Sequence, residues 1–295
     1  MSSAQLRRLV LALPWLWLAL FFLLPFLLIM KISLAEMRLG VPPYTDLVET
    51  TADGARHFAI TFDNYRALFA DSLYLKAYLG SLRIAAIATM CTLLIGYPLA
   101  LAIVQSPGKW RVTLLLLMVA PFWTSFLVRI YAWIGMLRPG GVINSALLTL
   151  GIVDEPIQFL HTDGATILGI VYTYLPFMVL PLYARLERLD AVLLEAAADL
   201  GATPLRAFWT VTLPLSLPGI LAGALLVFIP AAGEFVVPEL LGGPDTLMIG
   251  KVLWSEFFSN RDWPVSAAAT VALLVLLVAP ILAFQALTQD REART

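Results

Sequence analysis

The sequence is poor in the residues that do chemistry. It holds one cysteine, Cys91, and two histidines, His57 and His161. A lone thiol excludes an internal disulfide. The two histidines lie far apart in the chain, with no partners at metal-ligand spacing, so no built-in metal centre is expected. No G-x-x-x-x-G-K-[ST] string occurs, which removes the usual phosphate-binding loop. Paired carboxylates are also missing, and a membrane-embedded enzyme would need such a cluster. Charge itself is scarce: Asp, Glu, Lys and Arg make up 13% of the chain, against roughly 25% in soluble domains. The net charge of −1 leaves no basic excess for a nucleic-acid partner.

What fills the chain instead is apolar. Of 295 residues 60% are hydrophobic, and the mean hydropathy is +0.87. A helix needs about 20 apolar residues to cross ~30 Å of hydrocarbon. Uncharged windows of that order lie at 9–30, 84–104, 165–184 and 265–289. A window at 112–128 is short but continues through 130–137 past Arg129, and a sixth span begins near Leu217 and ends near Gly233. Backbone groups cannot go unpaired in lipid, so the expectation is all-α: a polytopic membrane protein with six helices in a single domain, 1–295. The first window follows Arg7 and Arg8 as a signal peptide would, but it is long and no small-x-small cleavage site follows it, so it reads as a retained helix.

Short loops rich in Lys and Arg face the cytosol. Arg7/Arg8, Lys109/Arg111, Arg185/Arg188/Arg206 and Arg291/Arg294 fall in alternate connections. Both termini and the 185–216 loop are therefore expected inside, with 31–76 and 238–264 as outer loops. Residues 195–218 of the inner loop read EAAADLGATPLRAFWTVTLPLSLP. A helix over 189–200, rich in Ala, Leu and Glu, should end at Gly201 in a left-handed conformation. Thr203 and Pro204 then form an N-cap and first-turn pair that restarts a helix. Local physics alone fits two readings equally, a solvated linker and a docking elbow.

The spacing Glu195-Ala196-Ala197-x3-Gly201-x9-Val211-x-Leu213-Pro214 resembles the EAA signature of ABC-importer permeases, E-A-A-x3-G-x9-I-x-L-P, with Val211 in place of the usual Ile. The strings KISLAEM (31–37), PPYTDL (42–47), PFWTSFLVRIYAW (121–133), YLPFMVLPLY (174–183) and GEFVVPELLGGPDTLMIG (233–250) are similar to the polyamine branch, closest to the first permease subunit of putrescine systems. The resemblance implies the type I permease architecture in a bacterial inner membrane. It implies a second, homologous permease, two cytosolic ATPase subunits that carry ATP and Mg, and a periplasmic polyamine-binding protein, with this chain in lipid contact and carrying no cofactor. It assigns Glu195, Ala196, Ala197 and Gly201 to the ATPase contact, with Leu200, Leu205 and Phe208 as apolar neighbours.

A polyamine path should offer carboxylates and aromatic faces, and a charged side chain in a span is a functional candidate by default. Glu234, expected ~26 Å along span five, is the first candidate, with pairing to Arg129 as the competing reading. Glu239 and Asp262 in the outer loop, and Trp123, Tyr131 and Tyr174 in spans three and four, complete the expected path. Arg129 itself is expected to snorkel or pair with an acid. Competing classes are a proton- or ion-coupled secondary transporter, which would show internal repeats, and an ABC permease for another small solute.

Overall fold

The computed structural model describes residues 3–50 and 56–292. The chain divides into two compact units, Met1–Leu75 with Val252–Leu276, and Lys76–Lys251 with Leu277–Thr295.

In the first unit, α1 (Val10–Ser33) is an apolar helix whose long side chains are mostly exposed. A π turn at Ala19–Leu23 precedes Pro25, a residue that lacks the N–H needed to continue the regular ladder. The end of α1 is pinned by α2 (Asp63–Ala70). The Asn64 amide donates to the Ser33 and Ala35 carbonyls at 2.9 and 2.8 Å, and the Tyr65 and Ser33 hydroxyls meet at 2.8 Å. Between α1 and α2 lies a short antiparallel ribbon, β1 (Val48–Thr50) and β2 (Arg56–Phe58), with Val48 opposite Phe58. The sequence reading placed no strand there.

The second unit is built on α3 (Ser72–Gln105), α4 (Gly108–Val119), α5 (Phe126–Leu137), α6 (Val142–Thr149) and α7 (Asp163–Leu186). The short helix α8 (Ala191–Asp199) and the long α9 (Pro204–Ala232) follow. Helix α10 (Val236–Leu241) completes this run, and α11 (Ile249–Trp254) and α12 (Trp263–Glu292) each contribute residues to both units. Among the described residues five segments are long and apolar enough to cross a bilayer, α1, α3, Phe126–Thr149, α7 and α9, with a shorter apolar stretch at Trp263–Val278.

Two spans differ from the sequence expectation. The third is not one helix over 112–137. A tight turn at Ala120–Trp123 and an extended Ser125 (φ −57°, ψ 136°) separate α4 from α5. Pro121 removes an amide from the ladder there, and the Thr124 hydroxyl takes up the Pro121 carbonyl at 2.7 Å. The fifth begins at Pro204, well before Leu217: a π turn at Phe208–Thr212 leads into Pro214, and Arg185 Nε donates to the Leu215 carbonyl at 2.9 Å.

Helices α7 and α9 pack closely. A Cβ on Gly223 would lie 2.8 Å from Met178 Sδ and 3.0 Å from the Met178 carbonyl, so only glycine admits this approach. Met178, Val179, Leu182 and Val227 are wholly buried around it. A second apolar cluster joins Ile84, Ile130, Ile170, Val237 and Leu241, and seats α10 against α5 and α7.

Candidate functional sites

The elbow after α7 has the expected local structure. Asp190 caps α8, accepting from the Val192 amide at 3.0 Å. Gly201 holds φ +81° with open space around it, so its need is conformational and not steric. The Thr203 hydroxyl accepts from the Arg206 amide at 3.4 Å, and Pro204 opens α9. Glu195 and Ala196 are exposed, Ala197 is half-buried, and Leu200 and Leu205 stand 89% and 69% exposed. Phe208 behaves differently: it turns inward, edge-on to Tyr97 at 5.6 Å, while the Tyr97 hydroxyl meets Ser216 at 2.9 Å. A groove of about 580 Å³, lined by Leu101, Leu186, Leu194, Ala198 and Phe208 among others, runs beneath α8.

At the other end of α9, Glu234 lies past the helix and not within it. The helix ends at Ala232 and Gly233 caps it. One Glu234 oxygen accepts from the Tyr174 hydroxyl at 2.6 Å; the other accepts from the Val236 amide at 3.1 Å, at the start of α10. Arg129 does not pair with Glu234. The Arg129 guanidinium carbon sits 5.1 Å from the Phe122 ring centre and 5.8 Å from that of Phe126, with buried Nε and Nη1 unbonded. Among the described residues no salt bridge reaches Glu234.

The other expected path residues are dispersed. Glu239 pairs with Lys251 at 3.3 Å. Asp262 accepts from the Val265 amide at 3.0 Å as the cap of α12. Burial, with nearby Glu256 adding to it, holds the Asp262 carboxyl above the usual carboxylate range, while the cap hydrogen bond works the other way. Trp123 and Tyr131 are 79% and 59% exposed. The sequence reading missed Phe122 and Phe177, which the fold brings beside Tyr174; single aromatics in an apolar chain carry no signal of their own.

Comparison with known proteins makes this chain a pathway subunit of an ABC importer, with ATP hydrolysed on separate subunits. The chain belongs to the family described as "binding-protein-dependent transport system inner membrane component", whose model matches residues 111–291. It is 42% identical over 275 residues to the spermidine/putrescine transport system permease protein PotB of Haemophilus influenzae, covering 92% of this chain and 91% of that one. The Escherichia coli protein of the same description is 43% identical over 263 residues, 88% and 90% of the two chains. In fold the chain is similar to a permease of a bacterial alginate ABC transporter solved in complex with alginate pentasaccharide-bound periplasmic protein. The TM-score is 0.72 at 17% identity, over 97% of this chain and 94% of that one. The MetNI methionine transporter is similar at a TM-score of 0.56 over 74% and 95%.

Proposed function

We propose that this chain carries polyamines, putrescine foremost, across the inner membrane as one half of an ATP-driven pathway. Its partners are a second permease, two ATPase subunits docked on the Glu195–Gly201 elbow, and a periplasmic polyamine-binding protein. Both termini and the 185–216 loop face the cytosol; 31–76 and 238–264 face outward, the latter at the outer gate. The observation that carries the cargo assignment is Glu234: a carboxylate at the end of α9 with a phenol and an amide on it and, among the described residues, no cation. An arriving ammonium would supply the missing charge, at a site where low dielectric strengthens the pairing. The spermidine/putrescine relatives at 42–43% identity agree with that chemistry.

The test is uptake of radiolabelled putrescine by proteoliposomes holding the purified complex. Uptake should require ATP inside, the binding protein outside and an intact elbow. Uptake that persists without the ATPase subunits and collapses with the proton gradient would instead identify a secondary transporter. ATP-driven uptake of another solute, with none of putrescine or spermidine, would reassign the cargo.

A further inference from the structure

The Tyr174 ring does not stand alone. On α7, Tyr174 and Phe177 are three residues apart and share a face, their ring centres 6.0 Å apart. Phe177 meets Phe122 edge-on at 5.5 Å, interplanar angle 82°. Phe122 comes from the turn that interrupts the third span, and Arg129 lies over its ring at 5.1 Å. One continuous aromatic strip therefore runs from Glu234 to Arg129, with a carboxylate at one end and, at the other, a guanidinium that pairs with no carboxylate among the described residues. Phe122 and Phe177 are 36% and 38% exposed, so part of each ring is uncovered.

Resting on the reading that Glu234 receives an ammonium, we propose that the Tyr174–Phe177–Phe122 strip is a subsite for the methylene stem of an aliphatic amine, and that Arg129 closes its far end to a second ammonium. The chemistry matches at each position. The carboxylate and the phenol ring attract the charged head. The two phenyl faces take up CH₂ groups that would otherwise stay in water. The guanidinium, with no acid among the described residues to neutralise it, repels any cation that follows the strip to its end. The subsite thus reads stem length and charge spacing, a task separate from holding the first ammonium.

The experiment measures putrescine uptake by the reconstituted complex, with unlabelled diamines of increasing chain length and spermidine as competitors. The binding protein is the same throughout. Phe177→Leu keeps an apolar side chain and removes the ring; it should weaken competition by the longer amines about tenfold, and Phe177→Tyr should restore it. Arg129→Gln should raise the spermidine-to-putrescine uptake ratio severalfold. Competition and uptake ratios equal to wild type in both Phe177→Leu and Arg129→Gln, in complexes that still co-purify with the ATPases, would overturn the subsite. Glu234→Gln is measured alongside. Loss of uptake there with no effect of the strip variants leaves the carboxylate reading standing and removes the strip. Normal uptake in Glu234→Gln removes the reading beneath it.

Discussion

Tyr174 and Glu234, sixty residues apart in sequence, are joined by a 2.6 Å hydrogen bond from the phenol to the carboxylate. The same carboxylate also holds the Val236 amide, so helix α7, the end of α9 and the start of α10 meet at one side chain. A cation entering here competes with the phenol for the carboxylate. Tyr174→Phe frees one oxygen while keeping the ring, and should alter the apparent putrescine affinity by about three- to tenfold, as the loss of one charge-assisted hydrogen bond implies. Glu234→Gln should reduce uptake far more, with subunit co-purification intact. Concentration-dependent uptake by the two variants checks both.

The α7–α9 contact should be intolerant of size. Gly223→Val places branches against Met178, where sulfur and backbone already sit within 3.2 Å of a first carbon. Overpacking of this kind costs about 1–3 kcal/mol or more. The expected result is a lowered unfolding midpoint of the purified complex, with Gly223→Ala intermediate.

Gly201 makes the opposite demand. Nothing lies within 4 Å of its missing side chain, yet its φ is +81°. Gly201→Ala should cost ~1–2 kcal/mol of local strain and fray the elbow. ATP hydrolysis by the assembled complex should then lose its stimulation by the loaded binding protein, while the stability of the bundle stays near wild type.

Asn144 is wholly buried and bridges a loop in both directions: its amide donates to the Ile157 carbonyl at 2.9 Å and its oxygen accepts from the Ile157 amide at 2.8 Å. Asn144→Ala leaves the Ile157 amide without its partner, a loss of about 1–3 kcal/mol, while the Ile157 carbonyl keeps the Phe159 amide at 3.0 Å. Hydrogen exchange at residues 155–160 should rise in that variant.

Asp262 gives a pH dependence. Its folded-state pKa is raised, chiefly by burial, so the group favours the fold while protonated. That contribution is present below the ordinary carboxylate range and is lost as pH rises through the raised value. Asp262→Asn keeps an oxygen for the Val265 amide and removes the charge. It should leave the start of α12 as well protected at neutral pH as the wild type is in mild acid, read by hydrogen exchange across that range.

Much of this was legible in the sequence where one residue type has one local meaning. Gly201 followed by Thr203-Pro204 could only end one helix and start another, and it does so. The apolar windows at α1, α3, α7 and α9 carried their own signal. The broken third span was hidden because hydropathy averages over a proline that membrane helices often accommodate. The 48–58 ribbon was hidden because three-residue strands carry too little alternation to read. The pairing of Glu239 with Lys251 was hidden because the two lie twelve residues apart, across an irregular connection. Glu234 sat two residues beyond its helix because Gly233 ends α9 earlier than an apolar count suggests. In each miss a tertiary partner or a backbone break decided the outcome, and neither leaves a mark on composition.

The hollow under α8 bears on how force would travel through this chain. The short helix is moored at its two ends, by the Asp190 cap and by the turn that leads to Phe208, with open volume under its middle. A strut held that way bows under compression but carries tension directly into its moorings. Phe208, lodged against Tyr97, is then where a tug on the elbow is handed to α3, and the aromatic edge between them is the joint that has to hold.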